Sequence, residues 1–185
     1  MDIKSLLQID YRLTKDMGVA EKAGALRTAA VILAHSGDSW FWGTALFIIW
    51  LFANAFWKQW AVLVVGSIIV LALLVFAIKR LIRRRRPEGM WGMVYRKTDP
   101  HSFPSGHAAR AFLIAVVATA LGPAWLATVL WIWAPLVSVS RVAMGVHYVS
   151  DIIGGLILGL LAGSLMVHLL PPVVTFIATW FPWVW

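Results

Sequence analysis

Long apolar runs, interrupted by only three short polar clusters, constrain the fold of this chain more than any other feature. Of its 185 residues, 61% are hydrophobic and 13% are charged. A soluble domain of this size could not cover so much apolar surface with polar groups. We therefore expect an integral membrane protein. Ionisable groups at the ends of its membrane segments are costly, so they indicate a functional site.

The apolar runs predict an all-α fold, a polytopic transmembrane bundle of five to six membrane helices. Spanning a bilayer takes about 20 mostly apolar residues. Pro171-Pro172 is expected to end the fifth helix, and Val173–Trp185 to form a half-span or an interfacial anchor. The predicted segments are Trp40–Phe56, Trp60–Ile78, Ala108–Leu121, Pro123–Val139 and Ile152–Leu170.

Residues 1–38 mix apolar with charged side chains, so we expect amino-terminal interfacial helices there and no cleaved signal peptide. Residues 39–185 are predicted to form the transmembrane bundle, and residues 1–185 a single membrane-embedded domain. Tryptophan favours the membrane interface. Those near predicted segment ends are Trp40, Trp42, Trp57, Trp60, Trp180, Trp183 and Trp185.

A stripe of glycines in the fifth segment predicts close helix contact. Gly155, Gly159 and Gly163 recur at a spacing of four, which lets two helix backbones approach. Packing inside the bundle is the favoured interpretation, although the same stripe could serve a dimer. The oligomeric state is not readable from the sequence.

The net charge of +8 does not indicate nucleic acid as a partner. The cations mostly flank apolar segments, which favours contact with the lipid bilayer and with phosphate ligands. The chain has no cysteine, which excludes disulfides and zinc sites built on thiolates. No metal site and no cofactor is predicted.

Three polar clusters converge on one membrane face when the segments are followed through the bilayer. The third and fourth segments form a hairpin at Gly122-Pro123, which returns the chain to the face where the second segment ended. The clusters are Lys79 with Arg86-Pro87, Pro104-Ser105-Gly106-His107, and Ser140-Arg141 with His147 and Asp151.

The cations of these clusters suit the capture of a phosphate group. Lys79, Arg86 and Arg141 can neutralise a phosphate dianion, and arginine can bond two of its oxygens at once. Ser105 can cap a helix that opens at His107. The free N–H groups of a helix N-terminus form a ready anion site.

The two histidines indicate transfer of the phosphoryl group to an imidazole. Such a transfer needs a neutral nucleophile and, opposite it, an acid for the leaving oxygen. Asp151 lies four residues after His147, within reach of its N–H, and can fix its tautomer. We therefore predict His147 as the nucleophile, Asp151 as its orienting carboxylate and His107 as the general acid. His107 would later act as a base while water hydrolyses the phosphohistidine.

These motifs resemble the three-part signature of the type 2 phosphatidic acid phosphatase superfamily, in order, in spacing and in placement between membrane segments. The resemblance runs from Lys79 to Gly155. It implies a metal-independent phosphatase acting on a lipid phosphate or diphosphate in the membrane. Vanadium haloperoxidases hold vanadate in a similar cradle but are much larger soluble proteins. The phosphate-binding residues that the resemblance implies are Lys79, Arg86, Ser105, Gly106 and Arg141.

Several functions remain open at this point. Candidate substrates are phosphatidic acid, phosphatidylglycerol phosphate, a polyprenyl phosphate or diphosphate, and a lipid A-type phosphate. A lipid phosphotransferase would use the same site with an alcohol as acceptor. A non-catalytic headgroup carrier or scramblase would use the site only for binding.

The positive-inside rule predicts that the catalytic face is cytoplasmic, in what we expect to be a bacterial inner membrane. All Lys and Arg residues except Lys58 lie on or near that face in the predicted scheme. Functional cations distort this count, however, because binding phosphate also requires positive charge.

Other polar residues near the clusters receive weaker predictions. Arg83, Arg84 and Arg85 are expected to contact headgroups, and Arg110 to face the site or to snorkel. His35 and His168 have no predicted partner and are expected to be structural or exposed. The weak candidates for substrate contact are Tyr95, Asp99 and His101.

Overall fold

The computed structural model of the protein describes residues 2–19, 23–88, 91, 93 and 98–182, and within them the chain is a bundle of helices. The all-α prediction is confirmed. Tyr95, Trp183 and Trp185 lie outside the described residues. The helices are α1 (Ile3–Asp16), α2 (Ala25–Ser36), α3 (Ser39–Phe52), α4 (Ala55–Ile82), α5 (Gly106–Leu121), α6 (Ala124–Ala143) and α7 (Val149–Trp180).

Three of these helices, α4, α6 and α7, are long and apolar enough to cross a bilayer by length and composition. The helices α3 and α5 are also apolar but have only 14 and 16 residues. The five apolar helices correspond to the five predicted segments. Their boundaries differ from the prediction by a few residues, except at the end of α7.

The short helix α5 lies at the centre of the bundle. Ten of its residues are buried, as expected for a helix that is apolar on all sides. The predicted start of this helix is confirmed, because the Ser105 hydroxyl accepts from the Ala108 N–H at 3.4 Å. The predicted hairpin at Gly122-Pro123 is confirmed as well, since α5 ends at Leu121 and α6 begins at Ala124.

The glycine stripe packs α7 directly against α5, so the favoured interpretation of an internal contact is confirmed. A Cβ atom added at Gly159 would lie 2.3 Å from the Ala109 carbonyl oxygen, and one at Gly155 would lie 2.6 Å from the Ser105 carbonyl oxygen. No side chain larger than hydrogen fits there unless the backbones move apart.

The prediction that Pro171-Pro172 ends the fifth helix is wrong. Helix α7 continues through both prolines to Trp180, so the segment from Val173 is the last part of one long helix. Membrane helices tolerate proline where other groups take up the freed carbonyls. Here the Thr175 hydroxyl donates to the carbonyl of Pro171 at 3.0 Å.

Residues 1–38 form two helices, as predicted, and both pack on the bundle. In α2, Ala30 and Ala34 are buried against Met144 and Val146, which follow α6. In α1, Asp10 and Thr14 are buried and bond the first turn of α7. Their location at the membrane interface stays a prediction.

Candidate functional site

A cavity of about 500 Å³ lies where α4, α5 and α6 meet the connection from α6 to α7. The structure brings six of the eight predicted site residues to its wall. The other two, Ser105 and Asp151, are fully buried behind it. The six lining residues are Lys79, Arg86, Gly106, His107, Arg141 and His147.

One wall of this cavity is apolar and comes from a single face of α4. Its side chains recur at helical spacing from the middle of the helix towards the cations, and the distance from Ile68 to Lys79 is roughly 16 Å at a rise of about 1.5 Å per residue. The apolar lining residues of α4 are Ile68, Leu71, Ala72, Val75 and Phe76. The cavity therefore joins a cationic end to an apolar stretch that runs along a membrane helix.

His147 lies in the connection between α6 and α7 and is only 1% exposed. Burial lowers the pKa of its imidazole well below the usual value, and the positive charges of Arg86 and Arg141 lower it further. The ring is therefore neutral near pH 7. Its Nε2 atom lies 3.1 Å from Nη1 of Arg86. A guanidinium only donates, so Nε2 is the acceptor and Nδ1 carries the proton.

Asp151 supports His147 from behind the cavity and caps α7 at the same time. Its Oδ2 atom lies 3.4 Å from Nδ1 of His147, within ion-pair range but longer than a normal hydrogen bond. The same oxygen accepts from the Tyr148 backbone N–H at 2.8 Å. This carboxylate is thus held in place to receive positive charge on the imidazole.

The cations of the cavity hold a carboxylate in this structure. Asp99 accepts from Lys79 and, at 2.8 Å, from Nη2 of Arg86. Burial raises the pKa of Asp99, but its bonds to Lys79 and Arg86 outweigh that effect, so the carboxyl is ionised at neutral pH. An anion with oxygens spaced like a carboxylate therefore fits these donors. Arg141, which is also buried, adds a third positive charge.

His107 lies in the first turn of α5 and contacts a carboxylate of its own. Its Nε2 atom lies 2.7 Å from Oδ1 of Asp38, a residue between α2 and α3. Gly106, the first residue of α5, lines the cavity beside it. The two histidines thus share one cavity, and each has an aspartate at one ring nitrogen.

Several residues of the site were given other roles by the sequence or none. Arg84, expected at headgroups, donates to Asp151 at 2.8 Å and to Asp10 at 2.6 Å. Arg110 faces the cavity, and His101 lines it with Asp99. His35, which had no predicted partner, bonds Asp38 at 2.9 Å.

Replacing Arg84 with methionine is expected to destabilise the fold by about 3 kcal/mol, because removing one partner leaves a buried carboxylate uncompensated. Asp151 is fully buried, and the Arg84 guanidinium also stacks on the Tyr148 ring at 4.0 Å. Equilibrium unfolding in detergent measures the loss. Arg85→Met is the matched control, since the Arg85 side chain is exposed. Equal stability of the two variants would show that the Arg84 ion pairs contribute nothing.

Comparison with known proteins places this site in a family. A family model described as the PAP2 superfamily matches residues 60–174. Decaprenylphosphoryl-5-phosphoribose phosphatase of Mycobacterium tuberculosis is 34% identical over 110 residues, which cover 59% of this chain and 60% of that protein. Undecaprenyl-diphosphatase of Sulfolobus acidocaldarius is 30% identical over 132 residues, covering 70% of this chain and 63% of that protein. The chain thus spans about 60% of the length of the curated relatives it matches.

Two solved structures share the arrangement of helices. The PAP2 type phosphatidylglycerolphosphate phosphatase from Bacillus subtilis superposes with a TM-score of 0.73 and 28% identity, covering 88% of this chain and 84% of that one. Aquifex aeolicus LpxE superposes with a TM-score of 0.66 over 86% of this chain and 93% of its own, at 23% identity. The second likeness concerns the fold alone.

Proposed function

The chain belongs to the PAP2 superfamily, and from that premise and the geometry of the site we propose that it hydrolyses a lipid phosphate or diphosphate in the membrane. The observation that carries this proposal is one cavity containing a neutral, fully buried imidazole, a second histidine and three cations. Its apolar wall on α4 supports a lipid as the substrate.

In the first step, the substrate phosphate displaces the Asp99 carboxylate and bonds Lys79, Arg86 and Arg141. The free N–H groups at the start of α5, at Ser105 and Gly106, add to this binding. When Arg86 turns to the phosphate, the Nε2 lone pair of His147 is released. Positive charges fixed around the phosphorus stabilise the charge that develops on its oxygens.

His147 Nε2 then forms a bond to phosphorus as the bond from phosphorus to the lipid oxygen breaks. His107 donates a proton to that oxygen, and the lipid leaves as an alcohol, or as a monophosphate if the substrate is a diphosphate. The imidazole of His147 becomes cationic, and Asp151 behind its Nδ1 stabilises that charge. In the second step, water transfers a proton to His107 and attacks phosphorus, which breaks the phosphorus–nitrogen bond and releases inorganic phosphate.

The reaction requires no metal in this proposal, because arginine and lysine supply the positive charge that a metal ion supplies in other phosphatases. The substrate is left at the level of a lipid phosphate or diphosphate monoester. The named relatives act on polyprenyl-linked and glycerolipid phosphates, and the α4 wall is compatible with either kind of chain. A cytoplasmic catalytic face remains part of the proposal.

Phosphate release from a panel of lipid phosphates in detergent tests the function. The panel contains phosphatidic acid, phosphatidylglycerol phosphate, a polyprenyl monophosphate, a polyprenyl diphosphate and a lipid A-type phosphate. We expect stoichiometric inorganic phosphate from at least one lipid, undiminished by EDTA and inhibited by vanadate. Loss of activity in EDTA that a divalent metal restores would contradict the metal-free mechanism.

The same assay separates the alternative functions. A phosphotransferase would consume the lipid without releasing an equal amount of phosphate, and adding an acceptor alcohol would stimulate it. A headgroup carrier or scramblase would release no phosphate from any lipid of the panel, although it would bind them.

A further inference from the structure

The turn between α2 and α3 is fastened to the start of α5, beside His107. The Arg110 guanidinium donates to the Gly37 carbonyl through Nε at 3.0 Å and through Nη2 at 2.6 Å, and also bonds the Ser39 hydroxyl. A Cβ atom added at Gly37 would lie 2.7 Å from the Val137 side chain and 3.2 Å from Cδ2 of the His107 ring. Gly37 thus allows the turn to approach the imidazole closely.

Asp38 is the residue of this turn that bonds the imidazole. Its Oδ1 atom takes the Nε2 side of His107 at 2.7 Å. Its Oδ2 atom is fixed by Nδ1 of His35 at 2.9 Å and by the Trp40 indole N–H at 3.1 Å. Burial raises the pKa of Asp38, but the bonds to His107 and His35 outweigh it and hold that pKa below its usual range. Asp38 is therefore a carboxylate, and both of its oxygens have partners.

We propose that Asp38 is a positioning residue for His107, which it orients and holds ready to give a proton to the leaving lipid oxygen. This inference rests on the proposed function. Asp38 stands to His107 as Asp151 stands to His147, and it comes from the amino-terminal segment, outside the residues 60–174 matched by the family model. With Nε2 directed at Asp38, Nδ1 is the ring nitrogen left for the substrate.

The charges around His107 explain why a carboxylate is needed there. Arg110 on α5, Arg141 on α6 and His147 beyond α6 face the ring, and positive charge from these groups disfavours the imidazolium form. A carboxylate within hydrogen-bond distance favours it. In the proposed step the proton passes from His107 to the lipid oxygen as the phosphorus–oxygen bond breaks. It is restored from water in the second step, while Asp38 stays ionised throughout.

The test compares wild type with Asp38→Asn on two phosphate monoesters of equal chain length. One is a long-chain alkyl phosphate with a poor leaving group. The other is a 4-nitrophenyl phosphate carrying the same chain, whose leaving oxygen needs little protonation. General acid catalysis contributes about 10²–10⁴-fold, so we expect kcat to fall about 10²-fold for the alkyl ester and less than about threefold for the nitrophenyl ester. Equal losses for both esters, a change in KM alone, or no change would overturn the proposal.

Two further variants keep the result interpretable. Asp16→Asn, an exposed carboxylate at the end of α1, should leave kcat for both esters unchanged. In a His107→Gln background, Asp38→Asn should cause no further loss, because the carboxylate acts only through the imidazole. A further tenfold loss in that background contradicts the proposal. If Asp38→Asn does not fold, Asp38→Glu keeps the carboxylate and should retain the wild-type preference between the esters, and loss of that preference also contradicts the proposal. Wild type that hydrolyses neither these esters nor any lipid of the panel would instead overturn the proposed function.

Discussion

Replacing His147 with alanine is expected to reduce phosphate release by roughly four orders of magnitude or more, the size of effect seen when a covalent nucleophile is removed. The proposed phosphorus–nitrogen bond forms at Nε2 of this residue, and no other imidazole lies beside Asp151 in the described part of the chain. Initial rates with the best lipid of the panel, over a concentration series, give kcat and kcat/KM for the variant.

A trapping experiment makes this result specific for the nucleophile. Wild type quenched during turnover of a ³²P-labelled lipid should carry label on the protein, and His147→Ala should carry none. His168→Ala is the matched control, because His168 is an exposed histidine on α7 and should retain both turnover and label. Wild-type turnover by His147→Ala, with its thermal unfolding unchanged, would refute the assigned nucleophile.

The sequence predicted those parts of the site that depend on local rules. The segment ends follow from the length of apolar runs, and the start of α5 from a capping serine. The common membrane face of the three clusters follows from counting crossings. The contact between Asp151 and His147 needs only a spacing of four residues. Each of these arguments uses neighbouring residues or the thickness of the bilayer.

The residues that the sequence did not predict are joined over long distances. Asp38 and His107 are 69 residues apart, and Asp10 and Arg84 are 74 apart. No periodicity or motif links such pairs, because they meet only after α1 and α2 have packed on the end of the bundle. A buried carboxylate in an amino-terminal turn was the available signal, but it looks the same in the sequence as one exposed to water.

The error at Pro171-Pro172 has a different physical cause. The prediction applied the rule for helices in water, where proline ends a helix because the lost hydrogen bond is readily replaced by solvent. In a bilayer, ending a helix would expose more unpaired carbonyls than continuing it, and a nearby threonine hydroxyl can take one of them. The Thr175 bond to Pro171 shows this local repair.

Replacing Gly159 with alanine is expected to destabilise the protein by about 2–3 kcal/mol, because overpacking a tight contact forces backbones apart. The added methyl group would lie 2.3 Å from the Ala109 carbonyl oxygen, 3.0 Å from its carbonyl carbon and 3.1 Å from its Cα. All three are backbone atoms of α5 and cannot rotate away. Unfolding of the purified variant in detergent, followed by circular dichroism, measures the loss.

Gly43→Ala is the control that separates a contact effect from the effect of adding a methyl group to a membrane helix. Gly43 lies within α3, and a Cβ atom there would meet nothing within 4 Å. Its replacement should leave stability unchanged or raise it by about 0.5–1 kcal/mol through helix propensity.

The Gly159 variant also links the bundle to the chemistry. Ala109 follows His107 by two residues on α5, so a displacement of α5 moves the proposed general acid relative to His147, and kcat should fall together with stability. If the glycine stripe instead served a dimer, Gly159→Ala would change the oligomeric state and leave monomer stability and kcat as in wild type. That outcome would contradict the internal packing of α7 on α5, on which the position of His107 depends.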